Sequence, residues 1–341
     1  MTRHIGVDLH RNKFTVCIRA ANGRNYLSTW KLEELAFFTK KLKPTDELAV
    51  EVTGNTRLFC DAVKDYVSRV VVVNPSQFKV ISQSVKKTDD NDAKLLALYL
   101  SKDMLPEVRM KDKEHAQVAS MAQTRDKFVK LRTSLKNKVN NVVSAQGINL
   151  KKEALSSEKG LREVLGMVFD PMVETELRIL VEQIRSLNKS IAELEKVIKD
   201  SGSKLKGHKN IKSIKGIGGL GASILMSVIV DVNDFENEGK LASYFGIVPR
   251  VSNSNETFRS GRITKRGSKL GRTTLIQCAL IAKRYSPYLS NYYERIKSRR
   301  GAGKAIVALA RKFLGIIYKT LKYDWIFEDF PNGVLVDGNV L

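Results

Sequence analysis
Apolar residues in the first hundred positions fall in short runs cut by polar turns. His4 to Val7, Phe14 to Ile18 and Tyr26 to Trp30 are strand-like, with Arg11-Asn12 and Asn22-Gly23 as the turns between them. Leu32 to Leu42 has helical spacing and stops at Pro44-Thr45-Asp46. The pattern then predicts a strand over Leu48 to Val52, a helix over Arg57 to Val67, a strand over Val70 to Val73, and helices over 75–82 and Asp92 to Leu100. A three-strand meander followed by strand–helix alternation predicts a mixed sheet flanked by helices, an α/β domain over residues 1–112.

From residue 113 to 200 the pattern becomes helical and proline nearly vanishes. Leu177, Leu180, Ile184, Leu187, Ile191, Leu194 and Ile198 alternate spacings of three and four, which is the a/d seam of a coiled coil. Ala116 to Val143 is also helical and rich in lysine and arginine, and the stretch from Gly160 to Pro171 joins the two. A helical hairpin within one chain and a coiled coil between chains both fit this connector. Residues 201–327 read as a small all-α domain of short helices separated by glycines, and 328–341 as a tail without clear pattern.

Charge changes the picture more than composition does. With 59 Lys and Arg against 36 Asp and Glu the chain carries a formal charge of +23, and its surface attracts a polyanion. A hydrophobic content of 43% excludes disorder throughout. Cys17, Cys60 and Cys278 are scattered and odd in number, which argues against a disulfide framework or a zinc site and for a reducing, cytoplasmic setting. The longest apolar runs, such as Ile224 to Val230, are too short to cross a membrane.

Four acids stand out against this basic background. Asp8 closes the apolar run Ile5-Gly6-Val7, and Glu51 interrupts Leu48-Ala49-Val50-Val52. Asp89 and Asp92, three apart at the head of a helical pattern, share one helix face. Carboxylates on apolar strands are costly unless something positive holds them. Hard divalent cations take oxygen ligands, and two of them can stabilise the attacking and leaving oxygens of a phosphodiester displacement. The expectation is Mg²⁺, two ions, on Asp8, Glu51, Asp89 and Asp92. Asp90 points off that face, and His10 is expected to position the turn after Asp8.

A second set of signals lies downstream. Ile211 to Ala222 reads as helix, glycine hairpin, helix, a helix-hairpin-helix that would offer Lys212, Lys215, Gly216 and Gly218 to a phosphate backbone. A polar loop with Ser252 and Ser254 follows Tyr244-Phe245-Gly246-Ile247-Val248-Pro249-Arg250, bracketed by Arg250, Arg259, Arg262, Lys265 and Arg266, cations suited to a phosphate. Tyr285, Tyr288, Tyr292 and Tyr293, near Arg284 and Arg295, could stack on bases, but their helical spacing is read as packing.

The runs Gly6-Val7-Asp8-Leu9-His10, Val50-Glu51-Val52-Thr53-Gly54 and Lys87-Thr88-Asp89-x-x-Asp92-Ala93 resemble the RuvC-like domain of the DEDD insertion-sequence transposases, insertion-sequence family 110, which includes Piv-type invertases. Gly246-Ile247-Val248-Pro249-Arg250, Ser254-Asn255-Glu256 and Gly261-Arg262-Ile263-Thr264-Lys265-Arg266-Gly267 resemble the second domain of that family. The resemblance implies an RNase H-like fold for 1–112. It also implies a nucleophilic serine five positions past the proline, Ser254, with Ser252 and Ser260 as the alternatives. Its further implications are a homo-oligomer, dimer or tetramer, acting on donor and target DNA under the guidance of a bridge RNA. A water-using Holliday-junction resolvase and a non-enzymatic architectural protein are the rival expectations.

Overall fold
The computed structural model describes residues 2–74, 78, 88–151, 153–254 and 257–327, with the backbone alone for 251–254 and 257–260. The chain folds as two units, Met1–Met110 and Lys111–Leu341.

The first unit is built on a five-stranded sheet. Its elements in order are β1 (His4–Leu9), β2 (Lys13–Arg19), β3 (Asn25–Lys31), α1 (Leu35–Thr39), β4 (Glu47–Glu51), α2 (Thr56–Val63), β5 (Arg69–Val73) and α3 (Asp89–Leu100). The strands lie in the order β3-β2-β1-β4-β5. β1 to β3 form the antiparallel meander, while β4 and β5 run parallel to β1. This mixed sheet agrees with the RNase H-like expectation. The helix expected over 75–82 lies outside the described residues.

Strand alternation divides the apolar residues between the two faces of the sheet. Ile5, Val7, Leu9, Phe14, Val16, Leu48 and Val50 pack with Phe38, Phe59 and Val63 of α1 and α2. The opposite face is lined by small residues, with Cys17 against Ala93 and Ala97 of α3 and Ala49 beside Leu96 and Leu100. That face lets α3 settle directly on β1. α3 starts three residues earlier than the apolar pattern suggested, because the Thr88 hydroxyl accepts the Asn91 N–H and caps it. The cap puts Asp89, Asp90 and Asp92 in the first turn, where the helix dipole favours negative charge.

The second unit is helical except for one hairpin. It comprises α4 (Lys113–Ala145), α5 (Glu158–Leu165), α6 (Pro171–Gly202), α7 (His208–Lys212), α8 (Gly219–Ile229), α9 (Glu238–Phe245), β6 (Pro249–Ser254), β7 (Thr257–Ile263), α10 (Lys269–Ala282), α11 (Pro287–Arg300) and α12 (Ala302–Lys322). Arg125 meets Glu195, Arg132 meets Asn188 at 2.9 Å, and Lys138 meets Glu176 at 2.9 Å. One residue number rises as its partner's falls, so α4 and α6 are antiparallel. The a/d residues Leu177 and Ile184 are used within this hairpin, packing with Val181 on Val139, Val142 and Val143, while Leu180 is only partly buried. At the other end Ile198, Val118 and Ala122 enter the core formed by α8, α10 and α12, which holds Leu225, Leu275, Phe313 and Ile317. Among the described residues, no helix is long and apolar enough to cross a membrane.

Candidate active site
The acids of the first unit are placed by backbone register. In the parallel β1–β4 pair, Gly6 lies beside Ala49 and Val7 beside Val50. One step further along each strand, Asp8, next to last in β1, and Glu51, last in β4, lie on the face that carries α3. Gly6 makes the geometry possible. A Cβ built there would stand 2.1 Å from Ala93 O and 2.5 Å from Ala97 N, so only glycine admits the helix this close. The first turn of α3 is thereby held near the ends of β1 and β4.

Asp8 is 7% exposed and Asp92 8%. Burial pushes the Asp8 carboxyl above its usual range; the nearby His10 opposes that shift, and the negative charges of Asp89 and Asp92 add to it. His10 Nε2 lies 3.2 Å from Asp8 Oδ2 and 3.3 Å from Asp89 Oδ1. Lys13 Nζ donates to Asp89 Oδ2 at 2.7 Å, and this bond is the chief reason that Asp89 titrates below its usual range. Ligand atoms of Asp8, His10 and Asp89 all lie within 4.8 Å of one another. Asp8 and Asp89 are therefore brought together, with Asp92 near enough for its charge to act on Asp8; Glu51 follows Val50, which lies beside Val7 in the parallel pair. Asp90 is exposed.

Sequence reasoning missed Lys13 and undervalued His10. The signal for Lys13 was present: Asp8 pairs with Thr15 in the β1–β2 hairpin, so Lys13, two residues before Thr15, shares the face of the acids. His10 closes the turn through its N–H to Lys13 O, and Asn55 Nδ2 ties that turn down by donating to Arg11 O at 2.8 Å. The Asn55 contact joins residues 44 positions apart and had no local signature.

These side chains fit a divalent cation. Their donors are hard carboxylate oxygens with one imidazole nitrogen, a set that a hard divalent ion accepts.

In the second unit, β6 and β7 form a two-stranded ribbon with Ser254 paired to Thr257 at its far end. The other end is locked. Gly246 and Gly267 adopt positive φ, +68° and +89°, where L residues are strained. A Cβ at Gly246 would be 1.9 Å from Arg266 O, and one at Gly267 2.0 Å from Tyr244 O. Arg272 of α10 donates to Phe245 O at 3.1 Å and to Arg266 O and Gly267 O at 3.4 Å. Arg272 is a further residue that sequence reasoning passed over. Arg250, Arg262, Lys265 and Arg266 are exposed around this base; the side chains of Ser254 and Arg259 lie outside the description.

α7, a turn and α8 occupy the expected helix-hairpin-helix segment, with Lys212, Lys215 and Gly218 exposed and Ile211, Ile214 and Ile217 buried. Gly216 has φ +108°, and a Cβ there would meet Ala282 N at 2.5 Å. Its place in the turn answers to packing against α10.

Comparison with known proteins matches both units. Residues 5–146 match the family model of DEDD transposases of the IS110 type, described as "Transposase". Residues 208–294 match the model described as "Transposase IS116/IS110/IS902 family". The chain is 27% identical over 257 residues to the transposase of insertion sequence element IS1111A from Coxiella burnetii, covering 73% of this chain and 70% of that protein. A probable family 20 transposase of Pseudomonas aeruginosa is 26% identical over 335 residues, 95% of this chain and 94% of its own. A pilin gene-inverting protein of Moraxella bovis is 25% identical over 346 residues, 95% and 97% of the two chains.

A mixed sheet with clustered acids, followed by a matched transposase module, defines the class: a DNA-processing enzyme of transposition and recombination. The chain belongs to the IS110 family of DEDD transposases.

Proposed function
We propose that this chain excises and inserts its own insertion sequence by Mg²⁺-dependent strand cleavage and exchange through a phosphoserine intermediate. The observation that carries the reading is the approach of Asp8 and Asp89 ligand atoms to within 4.8 Å, with Asp92 in the same helix turn as Asp89 and Glu51 at the end of the strand beside β1. Asp8, Glu51, Asp89 and Asp92 would hold the ions, which when bound supply charge neutralisation for a phosphodiester in displacement. Asp8 and Asp92 are the buried members and set the position; Asp89 and His10 lie nearer the solvent.

Ser254 is the proposed nucleophile. Its hydroxyl oxygen bonds to phosphorus as the bond to one deoxyribose oxygen breaks; its proton passes to a base, and the released oxygen takes a proton. The phosphoserine keeps one phosphodiester for the bond lost, so a strand hydroxyl can reverse the step without ATP. Exposed Arg250, Arg262, Lys265 and Arg266 at the ribbon base, with Arg259, supply positive charge toward the phosphate, and Lys212, Lys215, Gly216 and Gly218 form the proposed backbone-contacting turn. The charge of +23 supports a surface shared by donor DNA, target DNA and a bridge RNA, in a homo-oligomer.

The test is trapping of a denaturant-stable protein–DNA adduct with Mg²⁺ and a bridge RNA transcribed from the element. Wild type should give the adduct; Ser254→Ala and Asp8→Asn should not, while both bind nucleic acid normally. Undiminished adduct in Ser254→Ala rejects that nucleophile. Cutting by Ser254→Ala without adduct establishes the water-using nuclease. Full activity in Asp8→Asn rejects the metal site.

A further inference from the structure
The α11–α12 pair carries chemistry that the proposed reaction does not use. From Arg284 to Lys312 there are eight Lys and Arg (284, 295, 297, 299, 300, 304, 311 and 312) against Glu294 alone. Glu294 is already engaged by Lys283 and Lys297. The charges are not spread evenly around α11. Leu289, Tyr293 and Ile296, at i, i+4 and i+7, pack into the core. Tyr288, Tyr292, Arg295 and Arg299 form the neighbouring stripe by the same spacing, about 16 Å long at 1.5 Å per residue.

Tyr293 is spent on the core, at 7% exposure, and Tyr288 packs partly against it, whereas Tyr285 and Tyr292 do not. Tyr288 and Tyr292 are half-buried, and Tyr285, just ahead of the helix, is 58% exposed. Cations flank them: Lys312 Nζ stands 5.4 Å from the Tyr288 ring centre and Arg295 Cζ 5.7 Å from that of Tyr292. Aromatic rings beside cations suit bases that are free of their own stack, whereas duplex DNA presents phosphates and leaves such rings idle.

We infer that the stripe Tyr285, Tyr288, Tyr292, Arg295, Arg299 with Lys312 binds an unpaired nucleic-acid strand, bases on the tyrosines and phosphates on the cations. The inference rests on the reading that the chain handles nucleic acid, and it places the unpaired stretch on α11.

The experiment is fluorescence anisotropy of full-length protein at about 0.15 M salt with EDTA. The probes are a labelled 20-nucleotide DNA strand, RNA of the same sequence, and the DNA duplex. Tyr285→Ser and Tyr292→Leu should each weaken binding of one or both single strands about tenfold, since stacking is worth roughly 1–3 kcal/mol per base. Duplex affinity should change less than about twofold, and Tyr292→Phe should bind like wild type. Arg299→Gln should weaken every probe, with the deficit shrinking as salt rises. Unchanged single-strand affinity in both tyrosine variants overturns the inference, as does an equal loss on the duplex, which would mark the rings as merely structural. Tyr285 is exposed enough that its variant tests binding without testing folding. The readout needs neither metal nor cleavage, so its outcome is distinguishable from that of the catalytic proposal.

Discussion

Gly6→Ala is the sharpest test of how the acids are held. The added methyl would sit 2.1 Å from Ala93 O and 2.5 Å from Ala97 N, against 3.4 Å for ordinary contact. Both opposing atoms are backbone of α3, so no side chain can swing away, and the helix must retreat by about 1.3 Å to restore contact. Overpacking of this kind costs about 1–3 kcal/mol, and a rigid backbone opponent puts the expectation at the upper end. In a unit of this size that lowers the unfolding midpoint by on the order of 10 °C. The larger effect is on chemistry. Asp89 and Asp92 ride on α3 while Asp8 and Glu51 stay on the sheet, and a displacement near 1 Å at a reacting centre costs about a hundredfold. The assay pairs thermal unfolding with Mg²⁺-dependent strand cleavage. Gly54→Ala is the control in the same unit, because its Cβ meets nothing within 4 Å. Gly6→Ala with wild-type melting and cleavage would refute the argument that close packing of α3 positions the acids.

Three further outcomes follow from other parts of the molecule. Arg272→Leu withdraws one donor from Phe245 O, Arg266 O and Gly267 O; it should cost about 1.5–3 kcal/mol and abolish strand exchange while leaving divalent-ion binding by the first unit at wild-type affinity in titration. Ile184→Ala, fully buried between α4 and α6, should cost about 2–4 kcal/mol in urea unfolding. Burial lowers the pKa of His208 below 6.5, so the unfolded chain takes up a proton that the folded chain refuses. Stability should rise with pH up to about 6.5 and level off above it, and His208→Asn should flatten the rise; an identical slope in the variant would remove His208 as its cause.

Much of the first unit was legible because its strands obey a period of two and its acids break that period. Asp8 and Glu51 interrupt apolar runs, a local signal that survived into the fold at or next to the ends of two neighbouring parallel strands. Element ends were less legible. The Arg57 to Val67 helix stops at Val63 in a 3-10 turn, and Leu32 to Leu42 opens with one before α1. The helical hairpin was visible in its seam, but the choice between partners in one chain or two depended on pairs such as Arg132–Asn188, 56 residues apart. Arg272 and Asn55 were invisible for the same reason: each bonds backbone carbonyls, which leave no mark on the residue types around them.

The two sets of residues proposed for the reaction are held in different ways. The acids sit where a sheet and a helix share backbone-to-backbone contact, so their geometry is carried by Gly6, Ala49, Cys17, Ala93 and Ala97, none of which touches a substrate atom in the proposal. The ribbon bearing Ser254 is a sheet of only two strands, an arrangement marginal in isolation. Its order is imposed at the base by Gly246, Gly267 and Arg272. Substitutions in the first group should therefore disturb ion binding and cleavage together. Substitutions in the second should spare ion binding and act on cleavage alone.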